Sequence, residues 1–134
     1  MSDFPEVETQ PKIKLDPKLL QESKAQVEAE RQVVIHVTLT ISELPSLIRI
    51  WSNTYLICGN SSAKSKLLNA DKISFAPLWT RVDQEHYQFT LIFEGLARDC
   101  VVFDLVEDIP TMDRFEYFGI ARNQSDIYHL NLIP

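Results

Sequence analysis

A chain of 134 residues accommodates one domain with an appended segment, and 45% hydrophobic with 24% charged residues is the composition of a folded globular protein. The formal net charge of −6 argues against nucleic acid and anionic membranes as general partners, since both repel an acidic surface. The start, Met1-Ser2-Asp3-Phe4-Pro5-Glu6, lacks the basic and apolar regions of a secretory signal. No apolar run approaches the roughly 20 residues of a membrane span, so a cytoplasmic location is expected.

Residues 1–15 carry Pro5 and Pro11, alternating charges and few apolar side chains, the pattern of an extended flexible arm. Asp16-Pro17 then reads as a helix start. The aspartate can accept from an orphan backbone N–H, and proline at the first helical position lacks a donor that would go unused. A helix over 17–31 follows, with a thin apolar stripe of Leu19, Leu20 and Val27 that offers little to a core and more to a partner. The arm is thus residues 1–31 and the folded domain residues 32–134.

At Gln32 the period changes to two. Val33, Ile35, Val37, Leu39 and Ile41 alternate with Val34, His36, Thr38 and Thr40, which makes a strand with one dry face. After a turn at Glu43–Ser46, Leu47–Trp51 and Thr54–Cys58 form either one bulged strand or two. Gly59-Asn60-Ser61-Ser62 is a turn. Lys64–Leu68, with alternating lysines, suits an exposed edge, and Ile73–Phe75 before Pro77 is peripheral. The strongest strand is His86–Glu94, whose Tyr87, Phe89, Leu91 and Phe93 share a face and should centre the core. Cys100–Val106, Phe115–Ile120 and a final run with Tyr128, Leu130 and Leu132 on one side complete the set. About eight short strands without intervening helices predict an antiparallel, immunoglobulin-like β-sandwich.

Sites are harder to find. His36, His86 and His129 have no ligand spacing, there is no G-x-S-x-G, and three glycines cannot build a phosphate loop, so no catalytic residue or cofactor is predicted. An enzyme with a dispersed site has no positive support. Cys58 and Cys100 lie in apolar runs and read as buried free thiols; a bridge between them requires an oxidising compartment. From Glu94 to Glu116 seven acids face Arg98 and Arg114, an acidic rim in which Glu107, Asp108 and Asp113 are weak candidates for calcium, without EF-hand spacing. Arg49 and Trp51 share a strand face opposite Ile48 and Ile50. If the isoleucines face the core, Arg49 and Trp51 form a surface platform of the kind that anchors interfaces; if Trp51 is core, Arg49 needs a buried partner.

The strings Ile48-Arg49-Ile50-Trp51-x-x-Thr54-x-Leu56, Thr90-Leu91-Ile92-Phe93-Glu94-Gly95-Leu96, Cys100-x-x-Phe103-Asp104-Leu105-x-Glu107-x-Ile109-Pro110 and Arg122-Asn123-x-x-Asp126-x-Tyr128 occur in that order. Together, over about residues 33–132, they resemble a family of short, uncharacterised bacterial proteins with a predicted immunoglobulin-like β-sandwich. The resemblance implies a fold and no activity. The function expected from the sequence is a non-enzymatic interaction or structural module that binds a protein partner or itself through the N-terminal arm or the acidic rim. Leu19, Leu20, Val27, Arg49 and Trp51 are its candidate contacts. The alternative is a calcium- or small-ligand-binding sandwich at the 107–113 loop.

Overall fold

The computed structural model describes residues 31–59 and 63–133, so the expected helix over 17–31 lies, apart from Arg31, outside the described residues. Those residues form nine strands and no helix: β1 Val33–Thr40, β2 Ser46–Ile48, β3 Thr54–Cys58, β4 Lys64–Asp71, β5 Thr80–Val82, β6 His86–Phe93, β7 Val102–Glu107, β8 Glu116–Ala121 and β9 Ile127–Leu132. Seven strands make one sheet in the order β8-β7-β3-β4-β6-β1-β9, and β2 with β5 makes a small second sheet.

The two-residue period explains which side of each strand is dry. In β1, Val33, Ile35, Val37 and Leu39 are buried, while the residues between them are half-buried. In β6, Phe89, Leu91 and Phe93 point the same way and lie opposite Val37, Ile35 and Val33 in an antiparallel register. Burial of these β-branched and aromatic side chains on one face is the main favourable contribution to folding.

The large sheet curls over this face. Four strands separate β7 from β9, and strands spaced about 4.8 Å apart would put the two roughly 24 Å apart in a flat sheet. Yet Phe103 of β7 meets Tyr128 of β9 edge to face with ring centroids 5.0 Å apart. Phe89 of β6 likewise reaches Phe115, just before β8, at 5.8 Å. The two ends of the sheet therefore share one core.

Three expectations need correction. The lysine-bearing strand β4 is not an edge: it lies between β3 and β6. Its Ser65 and Leu67 face inward while Lys64, Lys66 and Leu68 face outward, so the lysines mark a wet face rather than a bare edge. The sheet is not wholly antiparallel either, because β1 runs parallel to β9, with Val34 opposite Ile127 and Leu39 opposite Leu132. A parallel pair needs a long crossover, and here all the strands between the first and the last supply it. Finally, Cys58 and Cys100 are joined in a disulfide with Cα atoms 5.9 Å apart. The β3–β7 register puts Cys58 opposite Phe103, which brings the residues leading into β7 alongside it. The length of chain between the cysteines gave no hint of that pairing.

Phe93 is fully buried at the β1–β6 pairing, so Phe93→Ala should cost about 3–5 kcal/mol and lower the urea midpoint with an unchanged slope. Outward-facing Leu68→Ala should stay within about 0.5 kcal/mol. Equal losses at both positions would mean that the assignment of faces is wrong.

Candidate functional site

A groove of about 650 Å³ is bounded by the end of β1, the β2 segment, Trp79, the 107–116 segment and the exit of β9. Its Arg49–Trp51 wall is positioned from behind by Ile50. That residue is fully buried, and its backbone is pinned to the neighbouring segment from both sides, with its N–H donating to the Ser74 carbonyl (2.9 Å) and its own carbonyl accepting from the Ala76 N–H (2.8 Å). Extended backbone alternates its side chains, so with Ile48 and Ile50 inward, Arg49 and Trp51 must point out. The alternative with Trp51 in the core does not occur: its side chain is 37% exposed.

The pinned 74–76 segment then turns through Leu78, whose N–H donates to the Phe75 carbonyl, and delivers Trp79. The Arg49 guanidinium lies 3.8 Å from the Trp79 ring centroid and 5.0 Å from that of Trp51, while its Nη1 donates to the Pro77 carbonyl at 3.2 Å. Each exposed cation–π contact is worth about 0.5–1 kcal/mol, enough to hold two large rings in defined places at the mouth of the groove. Around them Leu47, Met112 and Ile133 add exposed apolar surface, Met112 being 96% accessible.

The groove's two walls are tied by one side chain. Glu107, 2% exposed, accepts the Trp51 N–H on Oε2 at 2.9 Å and the Phe115 N–H on Oε1 at 3.1 Å. Burial pushes its carboxyl above the ordinary value of 4.5, against the opposing pull of those two amides and of Arg49. With both oxygens engaged by backbone, Glu107 is a clamp rather than a ligand. Asp108 is exposed and 4.0 Å from Lys64, and Asp113 sits on the groove rim. Among the described residues no three His, Cys, Asp or Glu side chains are grouped to hold a metal ion. The rest of the acidic rim is dispersed: Glu94 accepts the Lys66 N–H, Asp104 accepts the Gly119 N–H, and Glu116 pairs with Arg114. His36 and His129 stack at 5.0 Å on the outer face, away from this groove.

A second buried carboxylate, Asp126, forms the densest polar cluster. It is fully buried and has a left-handed backbone (φ 54°), a conformation that aspartate tolerates better than most residues. Arg122 donates to both its oxygens, at 3.1 and 3.0 Å, Arg31 reaches Oδ2 at 2.7 Å, and the Tyr128 hydroxyl donates to Oδ1 at 2.8 Å. Burial alone would raise the Asp126 carboxyl, but the hydrogen bonds from Arg122, Arg31 and Tyr128 outweigh it and hold the group below the ordinary value of 3.8. Both carboxylate oxygens are taken up by these donors, which tie the exit of β8 and the start of β9 to the entry of β1. Leu19, Leu20 and Val27 lie outside the described residues.

Compared with known proteins, the chain matches no family model, no curated protein and no solved structure.

The two buried acids should respond to pH in opposite senses. Asp126, with a lowered folded pKa, contributes stability that is fully present above 3.8 and is lost as pH falls toward its folded value. Glu107, with a raised one, penalises the fold at neutral pH, and that penalty is relieved as pH falls from above its folded value to 4.5. Urea midpoints measured against pH should therefore lose their steep acid limb in Asp126→Asn. Glu107→Gln should remove the mildly acidic gain and cost about 1–3 kcal/mol, because its amide nitrogen must face a backbone N–H.

Proposed function

We propose that the chain is a non-enzymatic protein-interaction module on an immunoglobulin-like β-sandwich, and that the groove around Arg49 is its docking face. One observation carries this reading: Leu47, Trp51, Trp79, Met112 and Ile133, all exposed, converge on one groove around a stacked arginine. Clustered exposed apolar side chains are unfavourable in water unless something covers them, and Trp and Arg are the commonest interface anchors. The occupant is a protein segment, from a partner or from another copy of the chain. The curled all-β architecture and the size of the folded region support the sandwich.

The bridge between Cys58 and Cys100 fits an oxidising compartment better than the reducing cytoplasm expected from the sequence. Among the described residues no helix is long and apolar enough to cross a membrane. The calcium alternative at 107–113 is disfavoured by the engagement of both Glu107 oxygens. Millimolar calcium should accordingly leave the melting temperature unchanged, because only a ligand of the native state raises it.

The test is selection from a random peptide library against the immobilised full chain. Enriched peptides should carry two or more large apolar residues and shift tryptophan emission on binding. Arg49→Ala and Met112→Asp, both surface changes, should each weaken binding at least tenfold. If no peptide depends on these residues, and light scattering shows one mass in the parent and in Met112→Asp, the groove is not a docking face.

A further inference from the structure

The groove needs an occupant, and the chain carries a segment whose chemistry suits it. Residues 12–20 read Lys-Ile-Lys-Leu-Asp-Pro-Lys-Leu-Leu, with four large aliphatic side chains among three lysines and a single acid. The strip that forms the groove's back wall has the opposite balance, lined by three acids, the buried Glu107 with Asp113 and Glu116, against one arginine, Arg114. Arg114 there is already paired with Glu116 at 3.0 Å, and Arg49 is stacked against its tryptophans. Asp113, on the rim, has no cationic partner within 4 Å among the described residues, which leaves the strip net negative toward solvent. In an extended stretch Ile13 and Leu15 fall on one side and the lysines on the other, so one conformation presents both complementary surfaces.

The reach is sufficient within a single molecule. Residues 1–30 precede Arg31, which is held at Asp126 by its 2.7 Å ion pair. From there β1 runs eight residues, about 26 Å, to the groove, which begins at Leu39 and Ile41. The residues between 16 and 31 span roughly 50 Å extended and about 22 Å as a helix, and in the helical case an extended 12–16 adds about 14 Å. Either way the tether is long enough for Ile13 and Leu15 to reach the groove.

We infer that residues 12–20 dock in the groove of the same molecule, with Ile13 and Leu15 against Trp51 and Trp79 and the lysines along Asp113 and its neighbours. This rests on the docking-face reading above and names the resting occupant of that face. A tethered segment is present at high effective concentration, so it occupies the groove at any protein dilution and must be displaced by an incoming partner. The groove is then self-covered until a stronger binder arrives.

The chain contains two tryptophans, Trp51 and Trp79, and both line the groove, so intrinsic fluorescence reports on it without a label. The experiment compares the full chain with its Ile13→Asp/Leu15→Asp variant, whose changes lie outside the described residues. Emission should shift to longer wavelength and acrylamide quenching should rise at least twofold in the variant, with far-UV circular dichroism and melting temperature unchanged. The difference should persist across a hundredfold dilution and shrink at high salt. Peptides selected against the groove should bind the variant several-fold more tightly. Identical emission and quenching in both proteins overturns the inference while leaving the docking face intact. A difference that vanishes on dilution also overturns it, placing the segment on a second copy. If the peptides bind independently of Arg49 and Met112 while the fluorescence difference holds, the docking-face reading fails instead.

Discussion

A single buried charge holds the ends of the fold together. Asp126 receives two guanidinium groups and a phenol, and through them it touches most of the seam where the domain closes. Arg31 stands at the entry to β1, and Arg122 at the exit of β8. The same Arg122 also donates to the Ala97 and Cys100 carbonyls, so the β6–β7 connection is drawn in beside the disulfide. The Asp126 carbonyl accepts the Val34 N–H at 2.9 Å, and that bond helps set the register of the parallel β1–β9 pair. Burying one carboxylate in an apolar core is strongly unfavourable, and only this complete set of donors makes it tolerable. The arrangement is correspondingly intolerant: loss of any one donor leaves an oxygen of the buried carboxylate short of a hydrogen bond.

Glu107 solves a different problem with the same functional group. Its partners are neutral amides, so burial dominates and its carboxyl is pushed up where that of Asp126 is held down. What it gains is position. By accepting from Trp51 on one wall and Phe115 on the other, it fixes the width of the groove independently of whatever enters it. A preorganised groove avoids part of the ordering cost that otherwise weakens recognition of a flexible segment.

Much of the fold was legible because two strands follow the two-residue period cleanly. The alternation of Val33 to Leu39 and of Phe89 to Phe93 gave both the strands and their buried faces, whereas the alternation around Ile48 and Ile50 left Trp51 open between core and surface until the burial of both isoleucines decided it. Pairing was less legible. Alternating lysines look alike on an edge strand and on an interior strand with one wet face, so β4 was misplaced. The Arg49–Trp79 contact and the Cys58–Cys100 bridge join segments far apart in sequence, for which a single chain offers no local signal. Glu107 was visible only as an acid among acids. Its function depends on backbone N–H groups, which carry no residue identity, so nothing in the letters separates a clamp from a surface charge. Arg122-Asn123-x-x-Asp126-x-Tyr128 entered only as one string of the family resemblance, and nothing in it announced that arginine and tyrosine meet on a buried aspartate.

The pairing of β1 with β9 has a consequence for how the protein is made. On the ribosome β1 is the first strand of the domain to emerge, and one of its edges stays bare until β9, the last, has been synthesised. During that interval a strand with a continuous dry face, Val33 to Leu39, is open to pairing with a neighbouring nascent chain. The domain seals late, by a contact of the longest sequence separation it contains, which is the kind of closure that slows folding. Its vulnerability therefore lies in the seconds of its synthesis more than in the finished molecule, and a chain cut short before Asp126 would keep the β9-facing edge of β1 permanently unpaired.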